Sequence, residues 1–166
     1  MSAQNSPGGK LLLISLGSNI EPEKNLSLAL KMLADEVVLL KQSSIWQTPA
    51  VGSNGPDYLN AAVLIQSPLS PDLLKDQILS TIELKLGRVR TNNKNADRSI
   101  DLDIVMVDGN CLDQDLWTQA HVAVPASELI PDCKNPQSGE TLSQAAQRLF
   151  PGDTSFVRVD LSPNDA

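Results

Sequence analysis

Aromatic residues are scarce in this chain, at 3% of 166 positions. Trp46, Tyr58, Trp117, Phe150 and Phe156 are too few to stack successive bases of a single strand. Histidine is scarcer still, with His121 alone. Cys111 and Cys133 cannot build a disulfide framework, and adding His121 does not complete a four-ligand zinc site. Two reduced, uninvolved cysteines fit a cytoplasmic chain. No apolar run approaches the roughly 20 residues of a membrane span. The start, MSAQNSPGGK, lacks a basic stretch followed by a long apolar core, so neither a signal peptide nor a membrane partner is expected. Glycine cradles for phosphate, G-x-x-x-x-G-K-[ST] and G-x-G-x-x-G, are absent. A bound nucleotide would have to be held by side chains and metal. Nothing places a serine nucleophile beside the lone histidine.

What is present is a globular composition, with 41% hydrophobic and 20% charged residues. The length fits one domain with a real core. The net charge of −7 argues against a nucleic-acid or anionic-lipid partner. Residues 1–9 read as a loose polar tail and 10–166 as a single domain. Leu11 to Leu16 has the pattern of a buried strand, and Gly17-Ser18-Asn19 reads as a turn. A helix starts near Pro22 and ends around Asp35. Val37–Leu40 and Ile45–Thr48 are one strand or its two halves. Pro49–Asp57 is a loop, and Leu59–Ile65 a strand. Ser70-Pro71-Asp72 opens a second helix, closed by Gly87. Residues 88–99 are irregular. Ile100–Val107 is a strand, ended by an Asp108-Gly109 turn. Asn110–Gly139 is turn-rich, Thr141–Phe150 is a short helix, and Phe156–Leu161 is a last strand. The order β-α-β-β-α-β predicts an α+β, ferredoxin-like fold, an antiparallel sheet with two helices on one face.

Asp101-Leu102-Asp103 carries the first chemical signal. In a strand these carboxylates share a face, with Cα atoms roughly 7 Å apart. The rest of the strand is apolar, and buried carboxylates need cations. A hard divalent ion such as Mg²⁺, completed by phosphate oxygens, is one answer. Pairing with nearby arginines, or a water-facing edge, is the other. The second signal precedes it directly. Lys85, Arg88, Arg90, Lys94 and Arg98 are five of the 13 basic residues, and Asp97 is the only acid among them. Arginine forks suit phosphate oxygens. Carboxylates for metal beside arginines for phosphate are what phosphoryl transfer requires. The third signal is the Pro/Gly loop from Thr48 to Asp57. It leads into Tyr58, which offers a ring face, and Asn60, which offers a paired donor and acceptor.

LLISLGSN (12–19), SSIWQTPAVG (43–52), PDYLNAAV (56–63), IELKLGRVR (82–90) and RSIDLDIVMVDG (98–109) together resemble the 6-hydroxymethyl-7,8-dihydropterin pyrophosphokinases of folate biosynthesis. The resemblance implies the same ferredoxin-like fold. It implies an enzyme whose ATP gives pyrophosphate to the pterin hydroxymethyl group, leaving AMP. By the same resemblance Asp101 and Asp103 hold two Mg²⁺ ions and are catalytic together with Arg88 and Arg98. Glu83, Arg90, Arg98, Ile104 and His121 serve the nucleotide. Thr48, Pro49, Val51, Gly52, Tyr58 and Asn60 face the pterin. The small-molecule substrates are thus ATP and the pterin. After residue 109 the likeness thins. Ala126 follows Val124-Pro125 where the family has histidine, at a strand. Glu128–Pro136 holds neither the family's arginine nor its pterin-stacking phenylalanine, and Asn95 replaces a loop tryptophan. Only Tyr58 of the pterin sandwich is legible. The alternative is a non-catalytic pterin- or nucleotide-binding protein of the same fold.

Overall fold

In a computed structural model the described residues are 9–50, 54–88, 97–152 and 155–161. The elements run β1 (Lys10–Ser18), α1 (Pro22–Glu36), β2 (Val38–Gln42), β3 (Ile45–Thr48), β4 (Tyr58–Ser67), α2 (Pro71–Leu73), α3 (Ser80–Lys85), β5 (Asp101–Val107), β6 (Asn110–Cys111), α4 (Asp115–Thr118), α5 (Ala120–Ser127), α6 (Leu142–Leu149) and β7 (Val157–Val159). The expected long second strand is thus two halves, β2 and β3, which both pair with β4. The sheet order is β6-β5-β1-β4-β3-β7, and the pairs are antiparallel.

Alternation along the strands divides the core between two faces. Leu12, Ile14 and Leu16 of β1 and Leu102 of β5 pack against Leu26 and Leu33 of α1 and Leu74, Leu79 and Ile82. Leu13, Ala62 and Val105 point the other way. They are covered by Leu116 and Trp117 of α4, Ala123 of α5 and Ala145 of α6. The helices therefore lie on both faces, not on one as the element order implied. None of the described helices is long and apolar enough to cross a membrane.

The second helix begins as its sequence requires, with Ser70 Oγ accepting from the Leu73 amide at 3.3 Å. Between α2 and α3 the chain makes π-type turns over Leu74–Leu79. The wider turn shifts the apolar stripe, so Leu73 is exposed while Leu74 and Leu79 are buried. Asp108 and Gly109 both have positive φ, 48° and 85°, and make the predicted hairpin turn between β5 and β6. Cys111 and Cys133 are unbonded and half-buried.

Two local expectations need correction. Gly17-Ser18 is not a turn but the end of β1, in register with Asn60 and Leu59 of β4. Val124-Pro125 lies in α5, not on a strand. The run Val122–Ala126 is too uniformly apolar to display a helical period, and its helix is fixed by burial against the second face.

Candidate active site

Helices α4–α6 cover only part of the second face. Where they stop, the strands present polar residues instead of apolar ones. The register aligns Asp101 of β5, Gly17 of β1 and Asn60 of β4 in one row. The next row aligns Asp103 with Ser15. These residues floor a cleft whose walls are Thr48 and Pro49 at the end of β3, Tyr58 of β4, Arg98, and Asp113, Asp115 and His121 near the starts of α4 and α5. Of the residues expected to serve a site, this cleft gathers Thr48, Pro49, Tyr58, Asn60, Arg98, Asp101, Asp103 and His121. Val51, Gly52 and Arg90 lie outside the described residues.

Arg88 lies beneath the cleft and does not line it. Its Nη1 donates to Asp101 Oδ1 at 2.9 Å and also to Glu83 Oε2. Arg98 Nη1 donates to the other Asp101 oxygen at 2.7 Å. Burial works against the Arg88 charge, but Asp101 and Glu83 outweigh it and raise its pKa. Arg98 is positioned by its backbone, which exchanges hydrogen bonds with Asn19: its N–H donates to Asn19 Oδ1 at 2.7 Å, and its carbonyl accepts from the Asn19 amide at 3.0 Å.

Glu83 and Ile104 do not line the cleft. Ile104 packs on the opposite face of the sheet, against the α1 side of the core. Glu83 is 2% exposed. Its Oε2 accepts from the Leu102 amide at 2.9 Å, while Lys75 Nζ donates to the Leu102 carbonyl at 2.8 Å. Together these two side chains satisfy the β5 backbone where no neighbouring strand does. The resemblance assigned both residues to the nucleotide; here strand alternation sets Ile104 on the α1 side, and the hydrogen bond from the Leu102 amide holds Glu83 beside β5.

Asp103 differs from its partner. Its closest described cation is Lys75, with Nζ 3.7 Å from Oδ1. Burial, and then the Asp101 charge, raise its pKa to about 6 despite Lys75. A carboxyl whose folded pKa is raised binds its proton more tightly in the folded state. Its ionisation therefore costs stability as pH rises from the unfolded value near 4 through about 6. Asp103→Asn is expected to raise the melting temperature of the ligand-free protein at pH 7 and leave it unchanged at pH 4. Thermal melts at the two pH values check this. An equal change at both would mean that the carboxylate charge is not the cause.

Gly17 is a site residue that the sequence did not reveal. A Cβ there would lie 2.8 Å from Asn60 Oδ1 and 3.6 Å from the Tyr58 ring. Asn60 Nδ2 donates to Thr48 Oγ1 at 2.7 Å, which turns its amide oxygen toward Gly17. Gly17→Ala should push the Asn60 amide out of position. The expected result is roughly tenfold weaker binding of the pterin that the resemblance implies for Asn60, about 1.4 kcal/mol, with little change in melting temperature. Calorimetric titration of wild type and variant tests it.

The family model for 7,8-dihydro-6-hydroxymethylpterin-pyrophosphokinase (HPPK) matches residues 13–131. The chain belongs to this family. A Synechocystis 2-amino-4-hydroxy-6-hydroxymethyldihydropteridine pyrophosphokinase is 34% identical over 82% of this chain and 75% of its own length. The Haemophilus influenzae protein of the same name is 34% identical over 75% of this chain and 84% of its own. Among solved structures, a Plasmodium falciparum HPPK-DHPS aligns with a TM-score of 0.65 at 9% identity, over 84% of this chain. The chain spans only 43% of that longer protein, and this likeness bears on fold alone. The ferredoxin-like fold expected from the element order is the HPPK fold.

Within this HPPK-family chain the two tryptophans are not available to the cleft. Trp46 packs among Phe150 and Phe156, with ring centroids 6.0 and 6.1 Å away. Its Nε1 donates to Glu128 at 2.7 Å, and Arg158 lies 5.1 Å over its ring. Trp117 is buried under α5 and α6. His121 is the ring that joins Tyr58 in the cleft. Burial lowers its pKa, although Asp115, Asp101 and Asp113 oppose the shift. Burial thus favours the neutral form of this imidazole.

Proposed function

We propose that this chain transfers the β,γ-pyrophosphoryl group of ATP to the hydroxymethyl oxygen of 6-hydroxymethyl-7,8-dihydropterin, as a step of folate biosynthesis. One observation carries the reading: the carboxylate pair and Arg98 share an open sheet face with Tyr58, Asn60 and Thr48. A phosphate-handling centre thus adjoins a place for a flat, hydrogen-bonding ring.

The pterin hydroxymethyl oxygen forms a bond to the β-phosphorus. The bond from that phosphorus to the oxygen bridging the α-phosphate breaks, and AMP departs with this oxygen. The hydroxymethyl proton is lost to solvent. Mg²⁺ fits the donor set, because two hard carboxylates on one face are what it takes from a protein beside phosphate oxygens. Among the described residues there is no cluster of three or more His, Cys, Asp or Glu placed to hold a metal ion; the two carboxylates would hold it together with phosphate oxygens. Asp101 and Asp103 would hold Mg²⁺, which would supply neutralisation of the charge developing on the transferred group. Arg98 orients the phosphate chain, Arg88 fixes Asp101, and Tyr58, Asn60 and Thr48 seat the ring. Positioning of this kind leaves little covalent work for the protein.

The experiment is an AMP assay with ATP, Mg²⁺ and 6-hydroxymethyl-7,8-dihydropterin. AMP release that requires the pterin supports the reading. Tight binding of either ligand without AMP would leave the non-catalytic binder instead.

A further inference from the structure

Asp101 is already occupied in this structure. Arg88 takes Oδ1 at 2.9 Å and Arg98 takes Oδ2 at 2.7 Å. A divalent cation arriving on the same oxygens would stand beside two guanidiniums, and like charges that close repel. The arginines must give way, and the surroundings do not treat them alike. The Arg98 side chain is 28% exposed and sits in the cleft wall, whereas the Arg88 side chain is only 11% exposed. Arg88 cannot retreat into water. Its Nη1 is already shared with Glu83 Oε2. Glu83 in turn cannot follow Arg88 outward, since the same oxygen is held by the Leu102 amide at 2.9 Å.

We propose that Glu83 is a positioning residue that retains Arg88 when Asp101 passes from guanidinium to divalent cation. The inference rests on the metal-dependent reading of the site. It makes Glu83 neither a nucleotide contact nor a metal ligand. The Glu83 carboxylate acts by giving the buried Arg88 charge a second partner. Without that partner Arg88 would lean wholly on Asp101 and compete with the cation. Arg98 needs no such partner, because it can turn toward phosphate oxygens.

The test is Mn²⁺ binding to the intact, nucleotide-free protein, followed by electron paramagnetic resonance, in wild type, Glu83→Gln, Arg88→Gln and the double variant. The glutamine retains an oxygen for the Leu102 amide. Glu83→Gln is expected to weaken Mn²⁺ binding by about tenfold, on the scale of measured charge-pair couplings. Arg88→Gln is expected to tighten it. In the Arg88→Gln background, Glu83→Gln should change it by less than about twofold, because its effect runs through Arg88. An equal loss in both backgrounds would reduce Glu83 to a distant negative charge and overturn the proposal, as would no loss in either. If Glu83→Gln fails to fold, unchanged Mn²⁺ affinity in Arg88→Gln is enough to overturn it. Wild-type AMP release reports separately on the transfer reading, so Arg88-dependent coupling without AMP would sink that reading and not this one.

Discussion

Asp101→Asn is expected to cut AMP release by about a thousandfold or more, the scale seen when a preorganised electrostatic group is removed from a transition state. The substitution is isosteric, so the loss tests charge and not shape. Asp101 does two things at once. It supplies a cation ligand, and it neutralises Arg88 and Arg98. With asparagine there, two guanidiniums face each other with less compensation, and two charge-assisted hydrogen bonds weaken. A stability loss of about 1–3 kcal/mol should accompany the loss of turnover. This opposes the expectation for Asp103→Asn, which removes an ionised group whose ion pair among the described residues is with Lys75, at 3.7 Å. The two variants should share the catalytic defect and differ in the sign of the stability change at pH 7. Denaturant titration and the AMP assay together decide it. Equal stability changes of one sign would mean that the arginine pairs do not distinguish the two carboxylates.

That pair of carboxylates was legible in the sequence because a strand's period is short and strict. Asp-Leu-Asp inside an apolar run forces both acids onto one face, and the basic block before it supplies the arginines. The two helices on the α1 side were legible from apolar spacing and from Pro22 and Ser70 at their starts. What was not legible depends on pairing between strands. Gly17 and Ser15 belong to the site because β1 lies between β4 and β5 with Gly17 opposite both Asn60 and Asp101; no local pattern encodes that register. Glu83 and Ile104, which the resemblance assigned to the nucleotide, lie outside the cleft lining for the converse reason: a resemblance names positions, and strand alternation and pairing decide which face of the sheet a side chain takes. Helix α5 was missed since, His121 apart, it carries small and apolar residues and a proline, and its helicity is imposed by the sheet it covers. His121 was named from the resemblance as a nucleotide residue, but without α5 its place in the cleft beside Tyr58 was not legible.

His121→Ala should weaken binding of the pterin by roughly ten- to a hundredfold, equivalent to about 1–3 kcal/mol for a ring face that stacks on a heterocycle. His121→Phe should restore most of that affinity, since it keeps a flat ring and discards the titration. ATP affinity should hardly move in either variant. A phosphate contact at His121 predicts the reverse: both variants lose ATP affinity and the phenylalanine rescues nothing. Fluorescence titration with the pterin and calorimetry with an ATP analogue separate the two. The pH dependence offers an independent readout. Burial depresses the folded pKa of this imidazole, so its neutral form stabilises the fold above the unfolded value near 6.5. Stability from this source is lost as pH falls through 6.5 toward the folded pKa. Asp115, Asp113 and Asp101 face the same ring and reduce the shift, while Asp103 titrates nearby with the opposite sign. An Asp103→Asn background removes that opposing titration. There, His121→Phe should remove the loss of melting temperature between pH 7 and pH 5.5. A loss that persists in that double variant would show that the imidazole is not its source.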